Sequence, residues 1–560
     1  MDLAITATTM EAMEANKMER KGFGISLVQL SVITSVASMN TNAAEFEFTP
    51  SVSATLNYVE RVTDSRDNFF AGEITPRALV TYQSSNVSAS VTVNNRNIYR
   101  DTSDDSFESY LTSSYNVQYE LYDQSIFLYT NGSQQYNSIN SSNLLINDLV
   151  TNPDDLTKTR NNTGGLRITN LGNSWVTLSS NLSASLFESE RSSTSETAFD
   201  TKSYRSSLSL DSGSRFSFFR WSLGTNYREI QRNSGFDTMR RNSFANTNFA
   251  ITDRFFLVAG FNESKQDLNG VDSIDTYRTY NAGVLYQNQN NLLRIAYNSV
   301  SEQSTFSEND NSGFYSIDFR VQLSPRTSFS GSKDQAFYGD TESFSFIYAS
   351  RKLRATASYS EEVTSNSSIF DSNGEGVFVC PDNYLTIDDC FVPDSLSYEL
   401  QPGEKFTDLS TFQDDINDSE RVRKNWVVNT GYQFNRLTVS LQGRRLQSLY
   451  FDDTPDSLQH SFSTSLTARL GVRTSLSASV SYIKTEFDSL SRSDSETYVG
   501  TVGMSFRIKR NFTIGIQSQY RDLDSLSQFE NYQERRFLIT LYYSPNNHNS
   551  SRQQNSFRSN

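Results

Sequence analysis

An alternation of apolar with small polar residues runs along most of the chain. It is clear in residues 87–94, again in residues 176–186 with Ser180 as an exception on the apolar side, and again in residues 476–482. A period of two predicts β-strands with one apolar and one polar face. The stretches are about as long as tilted strands that cross a membrane. The pattern therefore predicts strands with lipid on one side and water on the other.

Short and long connections alternate between the predicted strands. The short ones lie at Ser84-Ser85, Asp123-Gln124, Gly172-Asn173, Ser212-Gly213-Ser214, Asp253, Asn288-Gln289-Asn290, Ser324-Pro325, Arg351-Lys352, Asn435-Arg436, Gly471 and Lys509-Arg510. Twelve longer polar loops separate these eleven turns, among them 137–162, 335–341 and 364–423. The sequence thus predicts an all-β, antiparallel up-and-down transmembrane β-barrel of about 24 strands, or 22 to 26, with short periplasmic turns and long extracellular loops.

The first 44 residues have the order of a secretory signal. Arg20 and Lys21 precede a moderately apolar stretch at 23–36, and small residues end in Ala43-Ala44. We predict a signal peptide at 1–44, with Met18 as an alternative start, followed by an outer-membrane barrel at 45–543 and a polar tail at 544–560. Export of this kind predicts the outer membrane of a Gram-negative bacterium as the location.

Composition and charge exclude several other classes. The net charge is −15, so the phosphate backbone of a nucleic acid would be repelled and we expect no nucleic-acid partner. With two Cys and two His the chain has too few ligands for a zinc or iron–sulfur cluster. We therefore predict no cofactor, no metal site and no catalytic residue. The alternative is a hydrolase built on His460, which lies near Ser461, Ser463 and Asp456.

A barrel of 24 strands would be about 45 to 50 Å wide, so an open lumen would leak periplasmic solutes. The long loop 364–423 is the predicted constriction. It contains Cys380 and Cys390, which pass through an oxidising compartment and are predicted to form a disulfide. Two free thiols are the alternative.

Arginine outnumbers lysine 38 to 11, and several arginines lie within predicted strands. Because a mid-membrane arginine is costly on the lipid face, these side chains should point into the lumen. They are Arg167, Arg220, Arg228, Arg294, Arg320, Arg444 and Arg469. Two interpretations stay open: they pair with lumen carboxylates, or they form a basic track for an anionic polysaccharide. The acidic outer loops are likewise either simply solvated or bind divalent cations that bridge lipopolysaccharide phosphates.

Two short motifs near the start carry a family resemblance. Residues 46–52 read Phe-Glu-Phe-Thr-Pro-Ser-Val, and residues 73–79 read Glu-Ile-Thr-Pro-Arg-Ala-Leu. Followed by paired long strands, they resemble the PEP-CTERM system-associated outer-membrane protein family. That resemblance implies a β-barrel linked to exosortase and exopolysaccharide loci. It transfers no functional residue.

The predicted function is a conduit or scaffold in the export of an exopolysaccharide or other surface polymer, or in envelope assembly. A solute-diffusion porin, a structural or adhesive barrel, and an outer-membrane hydrolase are the alternatives. The expected partners are outer-membrane lipid and lipopolysaccharide, the barrel-assembly machinery, and polysaccharide together with periplasmic export components.

Overall fold

The computed structural model describes residues 44–61, 68–101, 107–138, 149–151, 153, 156–190, 200–233, 237–267, 275–302, 313–364, 378–381, 404–407, 420–451, 454–489, 494–525 and 531–545. The chain divides into two compact units, Met1–Phe46 with Gln83–Ser85, and Glu47–Tyr82 with Asn86–Asn560. The second unit holds the barrel. No helix in the described ranges is long and apolar enough to cross a membrane. The predicted signal peptide before residue 44 and the tail after residue 545 lie outside the described residues.

The described elements are all β-strands, and they are numbered in chain order. They are β1 Glu45–Arg61, β2 Phe69–Gln83, β3 Val87–Arg100, β4 Phe107–Tyr122, β5 Ile126–Ser138, β6 Leu156–Gly172, β7 Val176–Ser189, β8 Asp200–Ser212, β9 Phe219–Arg232, β10 Thr238–Ala250, β11 Phe255–Asp267, β12 Asp275–Gln287, β13 Leu292–Glu302, β14 Gly313–Ser324, β15 Thr327–Ala336, β16 Gly339–Ala349, β17 Leu353–Thr364, β18 Phe378–Pro381, β19 Glu404–Thr407, β20 Arg421–Phe434, β21 Leu437–Tyr450, β22 Ser457–Arg469, β23 Thr474–Phe487, β24 Ser495–Lys509, β25 Phe512–Ser525 and β26 Tyr532–Tyr543.

Twenty-four of these strands form one closed antiparallel sheet, which confirms the predicted architecture. Each strand pairs with its neighbour in the chain, except that β17 pairs with β20. The sheet closes where the first strand meets the last, in a register that runs from Val52↔Tyr543 to Arg61↔Glu534. The small strands β18 and β19 pair separately with each other, within the chain between β17 and β20.

The predicted short connections coincide with tight turns, and local polar residues explain several of them. Asp123 and Gln124 both have positive φ, and the Ser125 amide donates to the Tyr122 carbonyl at 2.8 Å. This is the geometry of a hairpin turn whose twist matches that of the strands. The Asn173 side chain accepts a hydrogen bond of 2.8 Å from the backbone of its own turn, at Trp175 N.

One predicted loop is wrong in length. Residues 335–341 were expected to form a long polar loop, but β15 continues to Ala336 and β16 begins at Gly339. The connection is therefore a two-residue turn, Phe337 and Tyr338. Its aromatic pair packs inside a hydrophobic cluster, which explains why these residues do not form a solvated loop.

The outer face of the barrel is apolar and carries aromatic residues in two bands. Leu441, Val480 and Val502 are 44%, 50% and 55% exposed, respectively, and belong to the alternating apolar positions. Aromatic residues pair across neighbouring strands near the short-turn end and again nearer the loop end. The first band includes Phe219–Phe249, Phe255–Tyr286 and Phe512–Tyr543, and the second includes Phe261–Tyr280, Tyr297–Tyr315 and Tyr482–Tyr498. Two aromatic girdles around an apolar belt are the mark of a barrel surrounded by lipid.

Candidate functional site

A short segment of the connection between β5 and β6 lies inside the barrel. Leu149 and Val150 are 6% and 2% exposed, and they pack against Val59, Ala71 and Ile98. On β1 to β3 these contact residues alternate with exposed apolar residues of the outer surface, so they face the lumen. The segment 149–151, which we call the inner segment, therefore occupies the lumen instead of extending into solvent.

Three arginines from separate strands hold the inner segment, two through its backbone and one through the Thr151 side chain. Arg100 of β3 donates to the carbonyl oxygens of Val150 and Leu149, at 2.8 and 2.5 Å. Arg61 of β1 donates to the Thr151 carbonyl at 2.9 Å. Arg536 of β26 donates to Thr151 Oγ1 at 3.1 Å. Hydrogen bonds from charged donors are stronger than neutral ones, so this arrangement fixes the segment firmly.

A partly buried glutamate and a fully buried one pair with two of these arginines. Glu108 of β4 lies 2.6 Å from Arg100 Nη1, and Glu534 of β26 lies 2.7 Å from Arg536 Nη2. The side chain of Glu534 is fully buried. Because the charges of Arg100 and Arg536 are both paired and hydrogen-bonded, the desolvation cost of burying them is offset. This site was not predicted, although the apolar pair Leu149-Val150 within a polar loop was a visible signal.

A second contact joins the loop ends of strands further around the barrel. The Phe337 ring stacks on Phe451 at 6.2 Å between ring centroids. It also packs in a buried cluster with Tyr277, Val363 and Val422. These residues come from β12, from the β15–β16 turn and from β17 and β20, which do not all neighbour each other in the sheet. The cluster therefore joins separate parts of the wall.

Polar contacts reinforce this second contact. Arg232 Nη2 of β9 lies 3.9 Å from Glu420 Oε1, just before β20, and both side chains are 6% exposed. Thr238 Oγ1 donates to the same carboxylate at 3.5 Å. Arg240 of β10 donates to the Val363 carbonyl at 3.4 Å. Six strands separate β10 from β17 in the sheet, so these contacts bridge the interior.

The seven predicted lumen arginines all alternate with outward apolar residues and thus lie on the inner face. Arg167 lies over the Tyr129 ring at 5.0 Å, and Arg220 lies over Phe256 at 5.4 Å. A Cβ on Gly165 would meet the Tyr129 ring at 2.7 Å, so this glycine lets Tyr129 lie flat on the wall.

The other predicted arginines have polar neighbours. Arg294 donates to Asn281 Oδ1 at 3.0 Å and Arg444 donates to Asn425 Oδ1 at 3.0 Å. Arg320 lines a pocket of about 220 Å³ with Asp318 and three serines. Arg469 lies at the short-turn end of β22. Arg228 belongs to a group of arginines near the second contact. Whether they act as a polymer track stays a prediction.

The residues of the alternative hydrolase are not brought together in one arrangement. His460 lies in register between Arg445 and Lys484. It shares the outward parity of Phe462, which is 47% exposed, whereas the adjacent Ser461 points to the opposite face and is buried. Within the described ranges, no three His, Cys, Asp or Glu side chains form a metal-binding group.

The predicted constriction and disulfide fall largely outside the described residues. Cys380 belongs to the short strand β18, which pairs with β19, and Cys390 lies in a part of the chain that is not described. Both the disulfide and the constricting role of loop 364–423 therefore stay predictions. In the described ranges, the contacts that bridge the interior involve the β5–β6 connection, the turn at Phe337 and Glu420, which lies near the end of this loop.

A closed barrel with an apolar belt between aromatic girdles, and a polar interior crossed by loop residues, defines the class of the protein. It is an outer-membrane β-barrel of a Gram-negative bacterium. No family model and no curated protein matches the chain.

Solved structures with some similarity are outer-membrane receptors and transporters. The siderophore receptor PirA from Pseudomonas aeruginosa is 10% identical, with 90% of this chain and 81% of that chain covered and a TM-score of 0.39. The ferric-catecholate import receptor Fiu from E. coli K12 is 11% identical, with 89% and 81% covered and a TM-score of 0.41. The FrpB iron transporter from Neisseria meningitidis is 10% identical, with 88% and 82% covered and a TM-score of 0.41.

Proposed function

We propose that this barrel is a gated conduit for an elongated hydrophilic polymer, which the inner segment closes in the resting state. The observation that carries the proposal is the buried position of Leu149–Thr151 against the lumen wall. A porin for small solutes works as a permanently open channel and gains nothing from a fixed obstruction. A purely structural barrel has no need of a polar lumen whose closure depends on hydrogen bonds.

The nature of the closure supports movement. The inner segment is joined to the wall through one loop, and its contacts are side chains and hydrogen bonds, with no strand pairing described for residues 149–151. Such a closure can open without breaking the sheet, because all ladder hydrogen bonds of the barrel are made elsewhere.

The lumen wall of β21 to β24 supports a polymer as the cargo. Ser440, Ser465, Ser479 and Thr501 follow one another in register on the inner face. The Ser440 and Ser465 hydroxyls lie 2.7 Å apart and bond to each other. Small uncharged hydroxyls offer weak, exchangeable hydrogen bonds to a sugar chain that passes. Export of an exopolysaccharide or other surface polymer is therefore the form of transport that we propose, which the family resemblance also implies.

Single-channel recording in planar bilayers tests the conduit. We expect wild-type protein to conduct little, and Val150→Asp to give large, stable conductance because a charge replaces a buried side chain. Ser477→Asp is the matched control, since it adds the same charge to an exposed position of the inner wall. Dextran added to the Val150→Asp channel should cause transient blockades as chains enter.

Each alternative has its own outcome. A wild-type channel as wide and stable as the variant would identify a diffusion porin. A Val150→Asp protein that is folded but does not conduct would identify a structural barrel. Hydrolysis of lipid or peptide substrates that is lost in His460→Ala would identify the hydrolase.

A further inference from the structure

Three arginines lie side by side on the lumen wall near the second contact. Arg205 of β8 is the register partner of Arg228 of β9, and Arg228 is the partner of Arg240 of β10. All three are half-buried and share the inner face, because Tyr204 and Leu223 on the opposite parity are exposed. Side chains directly opposite each other in a sheet are close, and like charges in such positions repel. The row concentrates the positive charge of three guanidinium groups at one place on the lumen wall.

Glu420 is a carboxylate that reaches this row from another part of the wall. Arg228 interacts electrostatically with Glu420 as well as with the neighbouring arginines Arg205, Arg232 and Arg240. Glu420 also contacts Arg232 at 3.9 Å and accepts a hydrogen bond from Thr238. In this structure, then, a carboxylate from the start of β20 lies against an arginine group of β8 to β10.

We propose that Arg205, Arg228 and Arg240 bind the carboxylates of an acidic, uronate-containing polysaccharide, and that Glu420 takes the place of such a carboxylate while the conduit is closed. The inference rests on the proposed function and names the substrate class of that conduit. Guanidinium groups suit this ligand because their planar fork matches a carboxylate with two hydrogen bonds. Arginines spaced along adjacent strands present several such forks in one row.

Binding of the polymer is then coupled to opening. A uronate on the arginine row competes with Glu420, so an occupied site releases the contact between β9–β10 and the start of β20. The polymer thus favours the state in which β9–β10 and the start of β20 are no longer bridged. A ligand shifts an equilibrium only through different affinities for two states, and displacement of Glu420 supplies that difference.

Binding of polygalacturonate to the detergent-solubilised full chain tests the site without any need for conduction. We expect wild-type protein to bind polygalacturonate and not dextran of matched length. Arg228→Gln and Arg240→Gln should each weaken binding about tenfold or more. Arg473→Gln, at the exposed turn before β23, removes the same charge elsewhere and should change the affinity less than about twofold. Heat-modifiable gel mobility confirms that each variant is a folded barrel.

Glu420→Gln gives the opposite and more specific result. Since it removes the competing carboxylate, it should tighten polygalacturonate binding and raise the open probability of the channel. Unchanged or weaker binding of polygalacturonate by Glu420→Gln would contradict the proposal that a uronate displaces Glu420. If wild type and Arg228→Gln bind polygalacturonate equally while Val150→Asp still conducts, the proposed binding site is wrong but the proposed conduit is not contradicted. A Val150→Asp channel that fails to conduct would contradict the conduit itself.

Discussion

Arg100 holds the inner segment through two hydrogen bonds to its backbone. Its guanidinium donates to two carbonyl oxygens of the inner segment, at 2.8 and 2.5 Å. Arg100→Met keeps the length of the side chain and removes both donors. With about 1.5 kcal/mol for each charge-assisted hydrogen bond, the closed state loses about 3 kcal/mol. Since about 1.4 kcal/mol corresponds to a tenfold change, the ratio of open to closed channels should rise about a hundredfold.

The open probability of single channels in planar bilayers measures this ratio directly. Arg96→Met is the matched control, because Arg96 lies on the same strand and face and pairs with Glu73 at 2.8 Å. We expect this control to leave the ratio near that of the wild type. If Arg100→Met opens no more often than Arg96→Met, the inner segment does not close the lumen and the reasoning is wrong.

Three further predictions concern the wall, the second contact and the long loop. Val480→Arg places a charge on the lipid face and should cost about 2 to 4 kcal/mol in the free energy of folding into vesicles, whereas Ser479→Arg on the inner face should cost far less. Urea titrations measure both costs. Equal costs would contradict the assigned faces. Phe337→Ala should destabilise the second contact by about 3 kcal/mol and raise the open probability, and an unchanged channel would argue against its role. Intact mass after alkylation without reductant should show no label on Cys380 and Cys390, and two labels would reject the disulfide.

The barrel could be predicted because its determinants are local and repeated. Alternation on each strand, as in residues 476–482, assigns one face to lipid and the other to water. Turn residues such as Asn173 act within a few positions of themselves, since its side chain bonds to the backbone at Trp175 and Val176. The prediction that seven arginines face the lumen rests on the same rule, because adjacent residues of a strand point to opposite faces. That rule also places His460 and Ser461 on opposite faces.

The closure of the lumen could not be predicted in the same way, because its partners are far apart in the chain. Nothing near Leu149 or Val150 in sequence indicates that Arg100 will meet them, and Arg536 is still more distant. An aromatic pair such as Phe337-Tyr338 at a hairpin tip fits a solvated loop as well as a packed turn until Tyr277 and Val422 are placed around it. Long-range contacts of this kind follow from the closed geometry and not from local pattern.

The seam between the first and last strands has a consequence for biogenesis. Two of the three arginines that hold the inner segment, Arg61 and Arg536, belong to β1 and β26, which become neighbours when the sheet closes. The arginines that hold the inner segment thus come from both ends of the polypeptide, and the full set is in place only after the sheet has closed. In a nascent molecule whose last strand is missing or misaligned, the inner segment would not be fully held. A closed lumen is therefore a sign that insertion is complete.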